Sequence, residues 1–417
     1  MSHNTEFRAA LPCSLPRELW QHILTFLRST VRYRTLSRGL HALIGLNVSC
    51  RRGMCDEDWA VVFGIAPKAV GLDLSGCALD QRRLSGISAA ITGRGLSPSV
   101  VPHPPPKLVA LKLNHCHLRD DELKLLGPVL QEVRTLRQLG LAGNRLTASG
   151  LADLLELVAG TSVTLLDISA NSGAMSAVSL KALANAVLQN PALTELDLSH
   201  TRLERSELLQ PLMTAIAKSG SFCALRLAGM APGSKAVRML ADAIRGAGSF
   251  RNLALPDAKL SVHCLRTLTN AIAASQRFES LDVTQTSIGT DSAQVVADAI
   301  ARTPSFVDLQ ATVLGSRPLH VLMEGVQRSQ TFRRLVVRYT FLCLYGAQAL
   351  AKTIRHCPSL RSVELARLPF GDPDAFAADT AVGWLKEEVA TIRSPRDFHL
   401  RLVSIVFESP GAVCRLP

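Results

Sequence analysis

The feature that most constrains this chain is a repeat. The pattern L-x-x-L-x-L-x-x-(N/C/T/A)-x-L recurs as LVALKLNHCHL from Leu108, LRQLGLAGNRL from Leu136, VTLLDISAN from Val163 and LTELDLSHTRL from Leu193. It continues as FCALRLAGM from Phe222, FRNLALPDAKL from Phe250, FESLDVTQTSI from Phe278, FVDLQATVL from Phe306, FRRLVVRYTFL from Phe332 and LRSVELARLPF from Leu360. The fourth position falls at Leu111, Leu139, Leu166, Leu196, Leu225, Leu253, Leu281, Leu309, Leu335 and Val363, with gaps of 28, 27, 30, 29, 28, 28, 28, 26 and 28 residues. An earlier unit, AVGLDLSGCAL at Ala69 to Leu79, precedes Leu111 by 39 residues with an insertion. A unit this short cannot bury its apolar face alone, so about eleven of them in a row must stack on one another.

Each slot has a physical role. The L-x-L core reads as a strand whose alternate side chains point inward. The Asn, Cys or Thr that follows turns the chain and satisfies backbone groups left bare by the turn. A period near 28 leaves room for a return helix. SLKALANAVLQN (Ser179 to Asn190), KAVRMLADAIRG (Lys235 to Gly246) and SAQVVADAIART (Ser292 to Thr303) show the required apolar spacing of three and four. The residue opening each unit changes from Leu to Phe in the middle of the array, which places an aromatic between helix and strand. The unit resembles the leucine-rich repeat. The fold class this implies is α/β, a horseshoe solenoid with parallel strands inside and helices outside. The long period is similar to that of the ribonuclease-inhibitor-like subclass. GAQALAKTI, Gly346 to Ile354, resembles the helix start of GALA-type repeats, and KALANAV, Lys181 to Val187, is a partial form.

Composition narrows the function. The 417 residues are 47% hydrophobic and 19% charged, enough for a large core and unlike a disordered chain. The formal charge is +12, from 36 Arg and ten Lys among the basic residues, yet no basic run exceeds two residues. Phosphate neutralisation is local and needs clustered charge, so nucleic acid is not an expected partner. The ten cysteines are irregularly spaced without a CxxC. Cys77, Cys116, Cys223 and Cys264 read as core positions, which fits free thiols in a reducing intracellular compartment. The N-terminus lacks the pattern of a signal peptide, and no stretch approaches ~18 apolar residues, so no membrane span is expected.

The ends differ from the array. Residues 1–10 read as a flexible N-terminus, 61–370 as the repeats with an insertion loop at 92–107, and 371–417 as a C-terminal cap. The loop TGRGLSPSVVPHPPPK is Gly- and Pro-rich. The cap should hold a helix around Thr380 to Arg393 and a strand within Phe398 to Phe407. Between 11 and 60 lies LPRELWQHILTFL, Leu15 to Leu27, a short amphipathic helix with Pro16 at its start and Glu18 in its first turn. VRYRTLSRGLHALI, Val31 to Ile44, follows as a second helix. This pair resembles the F-box. Leu15, Pro16, Glu18, Leu19, Ile23, Leu24 and Leu27 match its first part, and Leu36, Ser37, Arg38, Leu43 and Ile44 its second more loosely. STVRYR replaces the usual Asp-Leu joint, and the Trp common after Ser-Arg is absent.

The resemblance implies a substrate-recruiting subunit of a cullin–RING ubiquitin ligase. Leu15, Pro16, Leu19, Ile23, Leu24 and Leu27 would contact the ligase's small acidic adaptor, and the repeats would hold the target protein. Residues Met1 to Cys55 carry eight Arg against two carboxylates, Glu6 and Glu18, which suits an acidic partner. With GALA-like repeats and Arg/Ala-rich usage the chain is similar to effectors that plant-pathogenic bacteria secrete into the host cytoplasm; a eukaryotic F-box protein is the rival. Two other readings stand beside this one. In the first, residues 11–45 only cap a binding scaffold or inhibitor; in the second, a cysteine carries ubiquitin.

No catalytic site, metal site or cofactor is expected. HCH, His115 to His117, places Cys116 in a turn slot, and CDED, Cys55 to Asp58, lacks the large helical block of thiol-carrying ligases. P-loop and G-x-S-x-G motifs are absent. The expected target surface is the concave sheet face, where Asp167, Glu195, Asp197, Arg226, Asp282, Asp308, Arg334, Arg338 and Glu364 flank the inward residues.

Overall fold

The computed structural model describes residues 46–50, 56–93, 107–201, 206–313, 315–338, 343–367, 375–392 and 398–404. They fall into two compact units. One runs to Leu146 and includes Thr161–Val163; the other holds Thr147–Gly160 and everything from Thr164 onward.

In the first unit, β1 (Leu46–Ser49), β2 (Ala69–Asp73), β3 (Ala110–Lys112) and β4 (Gln138–Gly140) pair in sequence order, all parallel. Their connections carry helices Asp56–Ile65, Gln81–Thr92, Asp120–Lys124 and Gly127–Glu132. Strand β1 and the helix after it precede the first unit visible as a repeat in the sequence.

The second unit holds nine strands among its described residues: β5 (Leu165–Asp167), β6 (Glu195–Asp197), β7 (Ala224–Arg226), β8 (Asn252–Ala254), β9 (Ser280–Ile288), β10 (Asp308–Val313), β11 (Arg334–Arg338), β12 (Ser362–Arg367) and β13 (His399–Ser404). Each is parallel to the next. Helices alternate with them, and each packs on its sequence neighbour. The three helices read from the sequence form as Ala177–Gln189, Ser234–Gly246 and Thr290–Arg302, and the cap supplies a helix, Ala375–Ile392, and β13. The α/β leucine-rich-repeat architecture expected from the period is the one observed.

The core follows from the slots. Both leucines of each L-x-L, such as Leu196 and Leu198 or Leu253 and Leu255, are fully buried. The opening residues Phe222, Phe250, Phe278, Phe306 and Phe332 form a continuous buried column with ring centroids 5.9–6.4 Å apart. Such spacing adds aromatic contact to plain burial.

The turn slot does the work expected of it. Asn144 donates from Nδ2 to the carbonyls of Leu113 (2.9 Å) and Leu141 (2.8 Å), while its Oδ1 accepts from the N–H groups of Cys116 (3.1 Å) and Leu118 (3.0 Å). The Thr201 and Thr286 hydroxyls donate to the carbonyls of Leu198 and Ala258, both at 2.6 Å. The residue before that slot is left-handed in unit after unit: Gly76, His115, Gly143, Ala170, His200, Gly229, Asp257 and Gln285 have φ between 55° and 77°. This conformation aims its N–H at the next unit, as in His115 to Ala142 O (2.7 Å) and His200 to Ala228 O (2.8 Å).

Cys77, Cys116 and Cys264 are buried as expected, but Cys223 is only half-buried. It lies just ahead of β7, before the inward-pointing alternation begins, and its thiol donates to Ser221 O at 3.1 Å. The seven described cysteines are all free. No helix among the described residues is long and apolar enough to cross a membrane.

Candidate functional site

Period-two alternation sends the residues on either side of each inward leucine to the open face of the sheet. In the second unit this gives two rows. One runs Leu165, Glu195, Ala224, Asn252, Ser280, Asp308, Arg334 and Ser362; the other runs Asp167, Asp197, Arg226, Ala254, Asp282, Gln310, Val336 and Glu364. Asp167, Glu195, Asp197, Arg226, Asp282, Asp308, Arg334 and Glu364 therefore stand where the sequence pattern put them, and Arg338 ends β11 as an exposed side chain. Asp197 is in register with Asp167 on one side and Arg226 on the other. Val336, which shares this face by alternation, is buried.

Three of these carboxylates have a local duty. Asp167 Oδ1 accepts from Ser169 N–H (3.0 Å) and hydroxyl (2.7 Å), Asp282 Oδ1 likewise from Thr284 (2.9 and 2.7 Å), and Asp197 Oδ1 from Ser199 N–H (2.9 Å). In the first unit Asp73 Oδ1 accepts from Ser75 N–H at 3.0 Å. Each bond pins the strand end just before the left-handed residue. The signal was in the sequence, as Asp followed two residues later by Ser or Thr.

One ion pair lies on the second unit's face and another at its edge, just ahead of β8 and β9. Arg334 Nη1 sits 3.0 Å from Asp308 Oδ2, and Arg251 pairs with Glu279. Burial raises the Asp308 carboxyl above its ordinary value, and Arg334 opposes that rise. Arg251, Glu279, Arg333 and Arg361 were missed by the sequence reading because they fall one residue before the alternating pair. In FRN, FES, FRR and LRS each directly follows the opening residue. Arg333 and Arg361 are both exposed and their strands lie side by side.

The thiols divide sharply. Burial pushes Cys116 and Cys50 up to about 12, with Cys77 and Asp73 adding to the rise, so both stay protonated at neutral pH. Cys116 also donates to Leu74 O at 3.1 Å, leaving HCH as a turn rather than a ligand set. The described residues hold no group of three or more side chains suited to a metal ion. On the helical side a shallow groove of about 420 Å³ lies between Val262–Ala274 and Thr290–Arg302, with Arg266, Asp291 and Asp298 in its lining. The expected adaptor contacts Leu15, Pro16, Leu19, Ile23, Leu24 and Leu27, the second F-box-like helix and the insertion loop lie outside the described residues, apart from the ends of that loop.

No family model matches the chain. A stretch of 132 residues is 29% identical to a cattle (Bos taurus) protein, NACHT, LRR and PYD domains-containing protein 5; it spans 32% of this chain and 11% of that relative. Among solved structures, the yeast Rad7 and Elc1 complex aligns at 17% identity over 79% of both chains, with a TM-score of 0.49. The leucine-rich repeat-containing protein LegL7 of Legionella pneumophila aligns at 15% identity over 70% of this chain and 93% of its own, with a TM-score of 0.46.

Proposed function

We propose that the chain is a recruiting subunit of a cullin–RING ubiquitin ligase. Its repeats hold a protein on the open sheet face while the F-box-like residues 11–45, ahead of β1, dock the ligase's acidic adaptor. The observation that carries this reading is the order of parts in the sequence: an LPxEL stretch and a Leu-Ser-Arg stretch that resemble the F-box stand ahead of a leucine-rich-repeat array. The array supports the binding half of the reading. Its open face is rich in charged and polar side chains, among them Asp167, Glu195, Asp197, Arg226, Asp282, Asp308, Arg334 and Arg338. Only some of that charge has a structural duty. The GALA-like helix start at Gly346 and the Arg/Ala-rich composition extend the proposal to an effector that a bacterium delivers into a host cell.

Capture by the purified adaptor tests the proposal. The full chain should retain the adaptor on a resin, and Leu15→Ala/Pro16→Ala should abolish retention while the thermal unfolding midpoint of the repeats stays put. A parent chain that retains no adaptor leaves a binding scaffold whose first helices only cap the array. Ubiquitin recovered as a thioester on a cysteine, without any cullin, would favour a catalytic ligase instead.

A further inference from the structure

The second unit's sheet face is electrically polarised, and the ion pairs on it and at its edge do not cancel the two ends. On β5 to β7 stand three carboxylates, Asp167, Glu195 and Asp197, against one cation, Arg226. Among the described residues none of the three carboxylates forms an ion pair. Asp167 and Asp197 hold turns, but Glu195 caps nothing and stands in register between Leu165 and Ala224. Asp167 and Asp197 stand directly opposite each other, a like-charge pairing that is destabilising, and Glu195, two residues from Asp197 on the same strand, adds a third negative charge to that patch. At the other end Arg338 is exposed on the face and Arg333 is exposed just ahead of β11; neither pairs with a described carboxylate, and together with Arg334 they outnumber Asp308 and Glu364 on the strands to either side. The arginine between them, Arg334, is neutralised by Asp308. Between the two ends the face carries the uncharged Ala224, Asn252, Ala254 and Ser280, and Asp282, whose carboxylate is held by Thr284.

We infer that this face takes a polypeptide lying across the strands, with a basic stretch over β5–β6 and an acidic stretch over β11. This deepens the proposed function and rests on its claim that the sheet face is the target-binding surface. From β6 to β11 there are five strand steps, which at about 4.8 Å each separate the two patches by roughly 24 Å. The two stretches of the partner must therefore be spaced by a comparable distance. Complementary charge at both ends fixes the register of such a partner, and rejects sequences with the same charges in the wrong places.

A fluorescent peptide with a tetralysine and a tetraglutamate block tests this on the full chain at low ionic strength. In one version a Gly/Ser spacer of about 16 residues joins the blocks, giving a root-mean-square span near the required distance; in the other the blocks abut. The spaced peptide should bind at least about tenfold more tightly, because the second block then binds intramolecularly. Glu195→Lys and, separately, Arg333→Ser/Arg338→Ser should each remove that advantage. Arg238→Ser/Arg317→Ser, on exposed helical positions, should leave it intact. Equal binding of the two peptides overturns the polarity but spares the face, provided the face variants still weaken binding. Face variants no more damaging than the helical pair overturn both the polarity and the claim that the face binds at all.

Discussion

From β5 to β8 every strand is three residues long and is followed, three residues beyond its end, by a left-handed residue, Ala170, His200, Gly229 or Asp257. Strands β10, β11 and β12 run for six, five and six residues; of the described residues after β10 only Gly315 has a positive φ, and its extended ψ of −179° makes it no such turn. Strand β9 is the hinge between the two styles. It is nine residues long, carries left-handed Gln285 within it, and shifts register against β10 where Ala311 gives way to Thr312. Both styles answer one demand, that the carbonyls and N–H groups at the end of each strand find partners. The early style turns sharply and aims single N–H groups across, Ala170 to Ser199 O (2.7 Å) and Gly229 to Pro256 O (2.9 Å). The late style extends the ladder itself. At Val313 and Arg367, the last residues of β10 and β12, regular pairing replaces a left-handed conformation that costs a non-glycine residue about 1–2 kcal/mol.

What both styles share is the column of opening residues, and breaking it should have the largest effect. Phe278 is fully buried between Phe250 and Phe306. Phe278→Ala should destabilise the repeats by about 3–5 kcal/mol, read as a lowered urea midpoint. Phe278→Leu installs the residue that opens the units at Leu108, Leu136 and Leu193 and should cost roughly 1–2 kcal/mol. Equal losses for the two would mean that ring stacking, rather than filled volume, holds the column.

Next in size is the turn slot of the early style. Asn144→Ala would leave two carbonyls and two N–H groups without their side-chain partner, for a loss of about 3 kcal/mol. Hydrogen exchange should localise the opening to the Cys116 and Leu118 amides. Thr286→Ala, which removes one bond to Ala258 O, should cost about 1 kcal/mol.

These predictions separate what the sequence makes legible from what it hides. Strand positions, helices and the aromatic column follow from a period and an alternation, because burial is what those patterns encode. The change of turn style is not encoded that way. QATVLG after Leu309 continues the apolar pattern of a consensus unit, and whether the backbone turns or runs on depends on its neighbours' hydrogen bonds. Left-handed positions were legible where glycine stands, at Gly76, Gly143 and Gly229, but not at His115, Ala170, His200, Asp257 or Gln285. On the sheet face, alternation located Asp167, Asp197 and Asp282 but not their bonds to the following turn. It passed over Arg333 and Arg361 because they precede the alternating pair.

Left-handed glycines also reveal a smaller coupling within the early style. A Cβ on Gly229 would lie 2.3 Å from His200 Nδ1, and one on Gly143 would lie 2.1 Å from His115 Nδ1. Each histidine thus lays its ring over the glycine one unit ahead. Gly229→Ala should cost about 2 kcal/mol, part from the backbone and part from displacing the ring. In a His200→Ala background the same change should cost only about 1 kcal/mol, the share due to the backbone alone. Additive losses would mean that the ring moves aside freely. Ala170, left-handed already, shows that alanine is tolerated where no ring presses on it.

The smallest effect distinguishes the cysteines of the two regions. Cys116 fills an early turn slot, buried and held protonated, whereas Cys343 is exposed and stands at the N-cap position of the helix Leu344–His356. Partial burial acts to raise the Cys343 thiol, but the Ser316 hydroxyl 2.9 Å away and the N–H groups of Gly346 and Tyr345 outweigh it, and the net direction is down. Those donors favour the thiolate, since an ionised sulfur accepts where a thiol would donate. Under iodoacetamide at neutral pH, Cys343 should therefore be alkylated well before Cys116, as peptide mass spectrometry would show. Ser316→Ala removes a hydrogen bond that stabilises the thiolate, so the thiol's titration moves up, less of it is ionised at pH 7, and Cys343 should react a few-fold more slowly. An unchanged rate in that variant would assign the reactivity to the helix N–H groups alone.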